Sequence, residues 1–363
     1  MPNVYAVIMA GGVGSRFWPR SREKTPKQLL EIVGKETMIH STLKRISGLI
    51  DPKNILIVTN KLQRPHIAKQ LPNIPAANII VEPQGRNTAP CIGLASLFVH
   101  ANDPEAVMVV LPADHIMQDE EEFRRVLRLA IWVAYESGKL ITVGIQPDRP
   151  ETGYGYIQFV DEDADNQNPY FTRGVYKVKT FAEKPNVATA EQFIASGDFL
   201  WNSGMFIWRA DAILREIKHL LPELHAELTK IGDAIGTDDY DQVLEMSYRM
   251  IRGISIDYGV MEKAKDVYVI KGNFGWSDVG SWDEVFRISG KDEHGNSVTG
   301  RTFQIDSKNT LIYAGDKFVA TIGADDLIVI ATDNAVLVCK QGRSQEVKEI
   351  VDYLRRKQMT DLM

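Results

Sequence analysis

The residues that could do chemistry begin in the stretch MAGGVGSRFWPRSREKTPKQ. Gly11, Gly12 and Gly14 follow an apolar run at 4–9, and Ser15, Arg16 and Lys27 come shortly after. Backbone N–H groups of a glycine turn can approach oxyanions closely. An arginine fork binds phosphate bidentately, and a lysine adds a mobile point charge. The pattern is neither common phosphate fingerprint. GxGxxG begun at Gly12 fails at Phe17, and no GxxxxGK[ST] string occurs. On its glycines alone the stretch is equally well an ordinary tight turn with surface cations. Two carboxylates add to it: Asp114 in LPADH (111–115) and Asp278 in GWSDVGSW (275–282). One or two carboxylates suit Mg²⁺ beside phosphates, although either aspartate alone could simply cap a turn.

These groups need elements to hold them. Strands are expected at 4–9, 54–58, 78–81, 106–111 and 140–143, with amphipathic helices at 38–50, 89–100 and 120–137 between them. Thr88 stands as the N-cap before Pro90. Such alternation predicts a mostly parallel α/β sheet with helices on both faces, whose ligands lie outside the carboxyl ends of the strands. The turns at 10–16, 82–88 and 112–115 then share one edge. The middle, with strands at 155–160, 175–181 and 205–208, continues that sheet. From 298 to 340 short β-rich runs recur with Gly, Asp or Asn between them, an all-β unit followed by a helix at 345–356. Domains are expected at 1–290 and 291–363.

With 363 residues and a net charge of −6, non-specific nucleic-acid binding is disfavoured and any anion must be met by a local site. Cys91 and Cys339, each in an apolar segment, are expected as buried free thiols. No basic leader or membrane span is evident, so the chain is expected in the cytoplasm with no membrane partner.

Eight motifs in order, the opening stretch and then EPQGRNTAP (82–90), LPADH, TGYGYI (152–157), FAEKP (181–185), WNSGMF (201–206), SIDYGVMEK (255–263) and GWSDVGSW, resemble the bacterial mannose-1-phosphate guanylyltransferases. These belong to the enzymes that join sugar 1-phosphates to nucleoside triphosphates. The resemblance implies a Rossmann-like sheet with a small C-terminal left-handed β-helix, and Mg²⁺-assisted in-line attack of mannose 1-phosphate on GTP. It makes Arg16, Lys27, Asp114 and Asp278 the catalytic set, with Asp114 and Asp278 on the metal. Gly11, Gly12, Gly14, Ser15, Glu82, Arg86, Asn87 and Thr88 fall to the nucleotide, and Gly153, Glu183, Lys184 and Asn202 to the sugar phosphate. Guanine's N1–H and N2–H₂ donors suit a carboxylate or backbone carbonyls in the 82–88 segment, although Asn87 or Thr88 could merely cap a helix. A sugar phosphate is already anionic, so His115 is expected as a structural group rather than a base. Asp257 and Lys263 receive no role.

Three other readings stay open: the same chemistry on another sugar or nucleotide, a catalytically silent binding subunit, and a dehydrogenase, which the failure at Phe17 disfavours. Some relatives add a phosphomannose isomerase unit. The chain ends at Met363, so transferase activity alone is expected. A homodimer is expected through the β tail, whose open edges need covering.

Overall fold

The computed structural model describes residues 2–161, 168–182 and 184–363. Strand β1 (Val4–Met9) shows how the main sheet is built. Its successive side chains point to opposite faces, and both faces are buried. Ala6 and Ile8 enter one apolar cluster with the helices Met38–Ile46 and Glu120–Ser137. Val7 enters another with Thr88–Asn102, Ala210–Leu220, Pro222–Ala234 and Tyr240–Met250. The helix Glu120–Ser137 keeps the bounds its pattern predicts. The Asp119 carboxylate accepts from Glu122 N, three glutamates fill the first turn, and Gly138 ends the helix in the left-handed region.

The remaining strands of this sheet are β2 (Ile55–Asn60), β3 (Ile79–Glu82), β4 (Val107–Pro112), β5 (Leu140–Ile145), β6 (Tyr156–Val160), β7 (Val175–Ala182), β8 (Phe199–Arg209) and β9 (Val267–Gly272). Their spatial order is β3-β2-β1-β4-β8-β5-β9-β7-β6. Pairing is parallel through β3-β2-β1-β4 and between β5 and β9, while β8 runs antiparallel to both β4 and β5. The parallel part sends the turns after β1, β3 and β4 to one edge. β8 is longer than the segment expected at 205–208. β9 is a strand that the sequence pattern does not announce, because a four-residue apolar run carries no period of its own.

A second sheet holds β10 (Ser297–Ile305), β11 (Leu311–Ile322), β12 (Leu327–Ala331) and β13 (Val336–Lys340). Ser297 pairs with Leu311, and Leu311 with Ile328, in parallel register. Parallel neighbours joined without a crossover helix are stacked coils, the geometry of a β-helix. The helix Val347–Arg356 closes this unit. A third apolar cluster joins the two sheets. Phe17, Trp18, Val279 and Trp282 pack with Leu311, Ile328, Ile330 and Leu337 and with Val347, Val351 and Leu354 of the last helix. Both cysteines are free; Cys91 is buried, but Cys339 is only partly so, because β13 is an edge strand. Among the described residues no helix is long and apolar enough to cross a membrane.

Candidate active site

The glycine turn leaves β1 with its carbonyls tied down. Gln28 Nε2 donates to Ala10 O and Gly12 O at 2.9 and 3.0 Å, and Thr59 Oγ1 donates to Ala10 O. Gly14 has φ +59°, and a Cβ there would lie 2.7 Å from the Cβ of Lys27. Glycine at 14 therefore lets the Lys27 segment pass beneath the turn. A Cβ on Gly12, by contrast, would meet nothing within 4 Å, so the turn is open on that side. Ser15 and Arg16 begin a single 3₁₀ turn, Ser15–Phe17, that is pinned by Phe17. The Phe17 ring is buried 5.1 Å from that of Trp282, while Arg16 is exposed and makes no ion pair among the described residues.

The two aspartates, far apart in sequence, are brought together by one β-bridge. Ile116, just past Asp114 at the end of β4, exchanges main-chain hydrogen bonds of 2.8 and 3.0 Å with Ser277, the residue before Asp278. Lys27 completes the junction. Its ammonium lies 3.0 Å from Asp114 Oδ2 and donates to Asp278 O at 2.6 Å. Burial alone would raise the Asp114 carboxyl, but the Lys27 charge and then His115 outweigh it and hold it below the usual value. Burial dominates at Asp278, which is raised despite a hydrogen bond from Tyr154 and the Lys27 charge. Tyr154 Oη donates to Asp278 Oδ1 at 2.7 Å. His115 is pushed down to about 4 by burial, against the pull of Asp114, and is neutral at pH 7. Its Nδ1 accepts from Trp276 Nε1 at 3.1 Å, which leaves its proton on Nε2.

Beside this junction is a cavity of about 240 Å³, lined by Gly153, Tyr154, Gly155, Asn202, Asp257 and Asp278 among others. Asn202 is fixed in three ways: its Nδ2 donates to Asp257 Oδ1 at 2.7 Å, its Oδ1 accepts from Gly204 N, and its main-chain N donates to Gly155 O. Burial raises the Asp257 carboxyl, opposed by the Asn202 bond and the Lys184 charge. Lys184 has φ +46°, a left-handed turn before Pro185. Glu183 lies outside the described residues.

The 82–88 segment closes the other side of the turn. Glu82 is buried at the end of β3, accepts from Tyr248 Oη at 3.1 Å, and is raised to about 7 by burial, partly offset by Tyr248 and Cys91. Its Oε2 would be 3.7 Å from a Cβ on Gly11. The Arg86 side chain turns away from the glycine turn. Its Nε donates to Tyr248 O at 3.1 Å, near the carbonyl end of the helix Tyr240–Met250, a position favourable to a cation. Asn87, not Thr88, is the N-cap of Thr88–Asn102, because its φ of +70° turns its side-chain oxygen to Thr88 N. Asn87 lines a separate cavity of about 680 Å³. Thr88 Oγ1 accepts from Ile256 N and borders the smaller cavity.

The structure thus gathers Lys27, Asp114, Asp278, Gly153 and Asn202 at one place, while Arg16 stands exposed on the 3₁₀ turn that follows the glycines. Sequence reasoning passed over Tyr154, Trp276, Gln28 and Tyr248. The first three stood inside quoted motifs, Tyr154 between two glycines, while nothing local marks Tyr248. Among the described residues no group of three or more His, Cys, Asp or Glu could hold a metal. Two carboxylates fit Mg²⁺, which takes its other ligands from phosphate and water.

Comparison with known proteins identifies the family. Residues 5–295 match the nucleotidyl transferase family, and residues 300–354 match the MannoseP isomerase/GMP-like beta-helix domain. The chain is 40% identical to the mannose-1-phosphate guanylyltransferase of Escherichia coli (strain K12) over 97% of its own length and 73% of the relative's. It is 39% identical to the xanthan biosynthesis protein XanB of Xanthomonas campestris pv. campestris, over 98% of this chain and 74% of that one. A solved structure described as a mannose-1-phosphate geranyltransferase from Thermus thermophilus superposes with a TM-score of 0.86 at 34% identity, covering 97% of this chain and 99% of its own. The chain belongs to the nucleotidyl transferase family, among the bacterial mannose-1-phosphate guanylyltransferases.

Proposed function

We propose that the chain transfers GMP from GTP to mannose 1-phosphate, releasing pyrophosphate and forming GDP-mannose. The observation that carries this reading is the meeting of Lys27, Asp114 and Asp278 between an open glycine turn and a sugar-sized cavity. An oxygen of the sugar phosphate attacks the α-phosphorus in line. The new P–O bond forms as the bond from the α-phosphorus to the bridging oxygen breaks, and pyrophosphate leaves with the electron pair. Such transfer requires positioning and charge neutralisation rather than an enzyme nucleophile.

Arg16 and the turn Gly11–Gly12–Gly14–Ser15 take the leaving phosphates, and Lys27 faces the α-phosphate. Asp114 and Asp278 are the pair that would hold Mg²⁺, which when bound neutralises phosphate charge and orients the triphosphate. Asn202, Gly153, Lys184 and Glu183 receive the sugar phosphate. In the 82–88 segment the Arg86 and Asn87 side chains are spent on helix ends, so guanine is met there by backbone groups, with Glu82 beneath the turn. Residues 1–290 form the catalytic unit and 291–363 its β-rich support. Exposed Phe303, Ile305, Phe318 and Ile322 on β10 and β11 make that support the face for a homodimer. The enzyme acts in the cytoplasm.

Pyrophosphate release over a grid of nucleoside triphosphates and sugar 1-phosphates, with and without Mg²⁺, tests the reading. Mg²⁺-dependent release highest with GTP and mannose 1-phosphate is expected. Another preferred pair would overturn the substrate assignment, and silence at every pair would favour a binding subunit.

A further inference from the structure

Asp278 stands in a loop, so its carboxylate has to be held by its neighbours. One neighbour holds it and another leaves it room. Tyr154 Oη donates to Oδ1 at 2.7 Å. Oδ2 lies against Gly280, where a Cβ would come within 3.0 Å of it. No donor reaches Oδ2 among the described residues. The Tyr154 ring is itself fixed, packing edge-on against Trp201 and Trp276 with centroids 5.2 and 5.1 Å away. Trp276 is fixed in turn by its bond to His115 Nδ1. A run of contacts therefore leads from Asp114 through its chain neighbour His115 to Trp276, Tyr154 and Asp278, and Lys27 returns it to Asp114.

We propose that Tyr154 is the positioning residue of the metal site, orienting the Asp278 carboxylate so that Oδ2 is the oxygen left for the ion. This rests on the reading of Asp114 and Asp278 as the Mg²⁺ pair. Mg²⁺ demands near-octahedral geometry, so a carboxylate free to rotate binds it less well. Hydrogen-bond partners of metal ligands typically account for about 10- to 100-fold in affinity.

The test is Mn²⁺ binding to the full chain without nucleotide, with free Mn²⁺ read by electron paramagnetic resonance. Wild type should bind Mn²⁺, and Asp278→Asn should lose it. Tyr154→Phe should weaken binding about tenfold or more while keeping the wild-type thermal midpoint. Its Mg²⁺ activation curve should move to higher concentration by a similar factor, with turnover largely recovered at saturation. Gly280→Ala, whose Cβ would come within 3.0 Å of Oδ2 and 3.3 Å of Oδ1 and so turn the carboxylate out of the Tyr154 bond, should weaken Mn²⁺ binding as well and decides the matter if Tyr154→Phe fails to fold. Wild-type Mn²⁺ affinity in folded Tyr154→Phe, or in Gly280→Ala, with Asp278→Asn deficient, overturns the proposal and leaves the metal reading intact. Undiminished binding by Asp278→Asn overturns the metal reading and the proposal together; where wild type binds too weakly without the phosphates of a nucleotide, a Tyr154→Phe Mg²⁺ activation curve that coincides with wild type overturns the proposal.

Discussion

Replacing Lys27 by methionine removes one charge while keeping most of the side-chain volume. The residue is 4% exposed, and its ammonium holds Asp114 Oδ2 at 3.0 Å and Asp278 O at 2.6 Å. Breaking a fully buried ion pair by deleting one partner costs about 3–5 kcal/mol. The Asp114 side chain is 35% exposed, so water takes up part of the orphaned charge, and the expected loss is about 2 kcal/mol at pH 7. The loss depends on pH with a definite sign. In the wild type the Asp114 pKa lies below its ordinary 3.8, so its contribution is present above that value and is lost as pH falls through the folded pKa. In the variant burial is left to dominate and the folded pKa moves above 3.8, so deprotonation now opposes folding. The gap in urea midpoint between the two proteins should be widest near neutrality and should shrink below about pH 4. Turnover should fall by about 10²–10³-fold, the usual cost of one preorganised donor. A stability gap that does not vary with pH, together with turnover within a few-fold of wild type, would refute the reasoning.

Arg16→Ala should lose about 2–3 kcal/mol of transition-state stabilisation in kcat/KM while leaving the urea midpoint unchanged, because the side chain is exposed and unpaired among the described residues. Phe17→Ala should cost about 3–5 kcal/mol in urea unfolding, since the ring is 1% exposed at the join between the β-helix unit and the catalytic sheet. It should also raise KM for GTP, because Arg16 adjoins that ring. Glu82 is raised from 4.5 to about 7, so the folded state keeps a proton that the unfolded state gives up, and this contribution to stability falls as pH rises between those values. Glu82→Gln should therefore gain on wild type by about 3 kcal/mol between pH 4.5 and pH 8 in chemical denaturation. No pH-dependent gain would refute the placement of a protonated carboxyl there.

The fold was legible where local signals agree. Asp119, the glutamates after it and Gly138 delimit one helix, and the turns at 10–16, 82–88 and 112–115 fall at the ends of β1, β3 and β4. The tail was legible because its strands recur at close intervals with turn residues between them. The site itself was only partly so. Asp114 and Asp278 could be paired from motifs, but the bridge between Ile116 and Ser277 that joins them is a tertiary contact without a local signature. The same holds for Tyr248, which reaches Glu82 from another helix, and for Phe17. That residue read only as the position where a dinucleotide pattern fails. In the structure it anchors the turn to a unit nearly three hundred residues later in the chain. Arg86 was legible as a cation but not as a helix-end ligand, because the helix it caps lies far along the chain.

The most direct test of the central claim follows the phosphorus atoms. The chain is incubated with mannose 1-phosphate, Mg²⁺ and GTP labelled at either the α- or the γ-phosphate. The account predicts that the α-label passes into the nucleotide sugar and that the γ-label leaves in pyrophosphate. A γ-label carried onto the sugar, or an α-label that stays with GTP while the sugar phosphate is untouched, would contradict it.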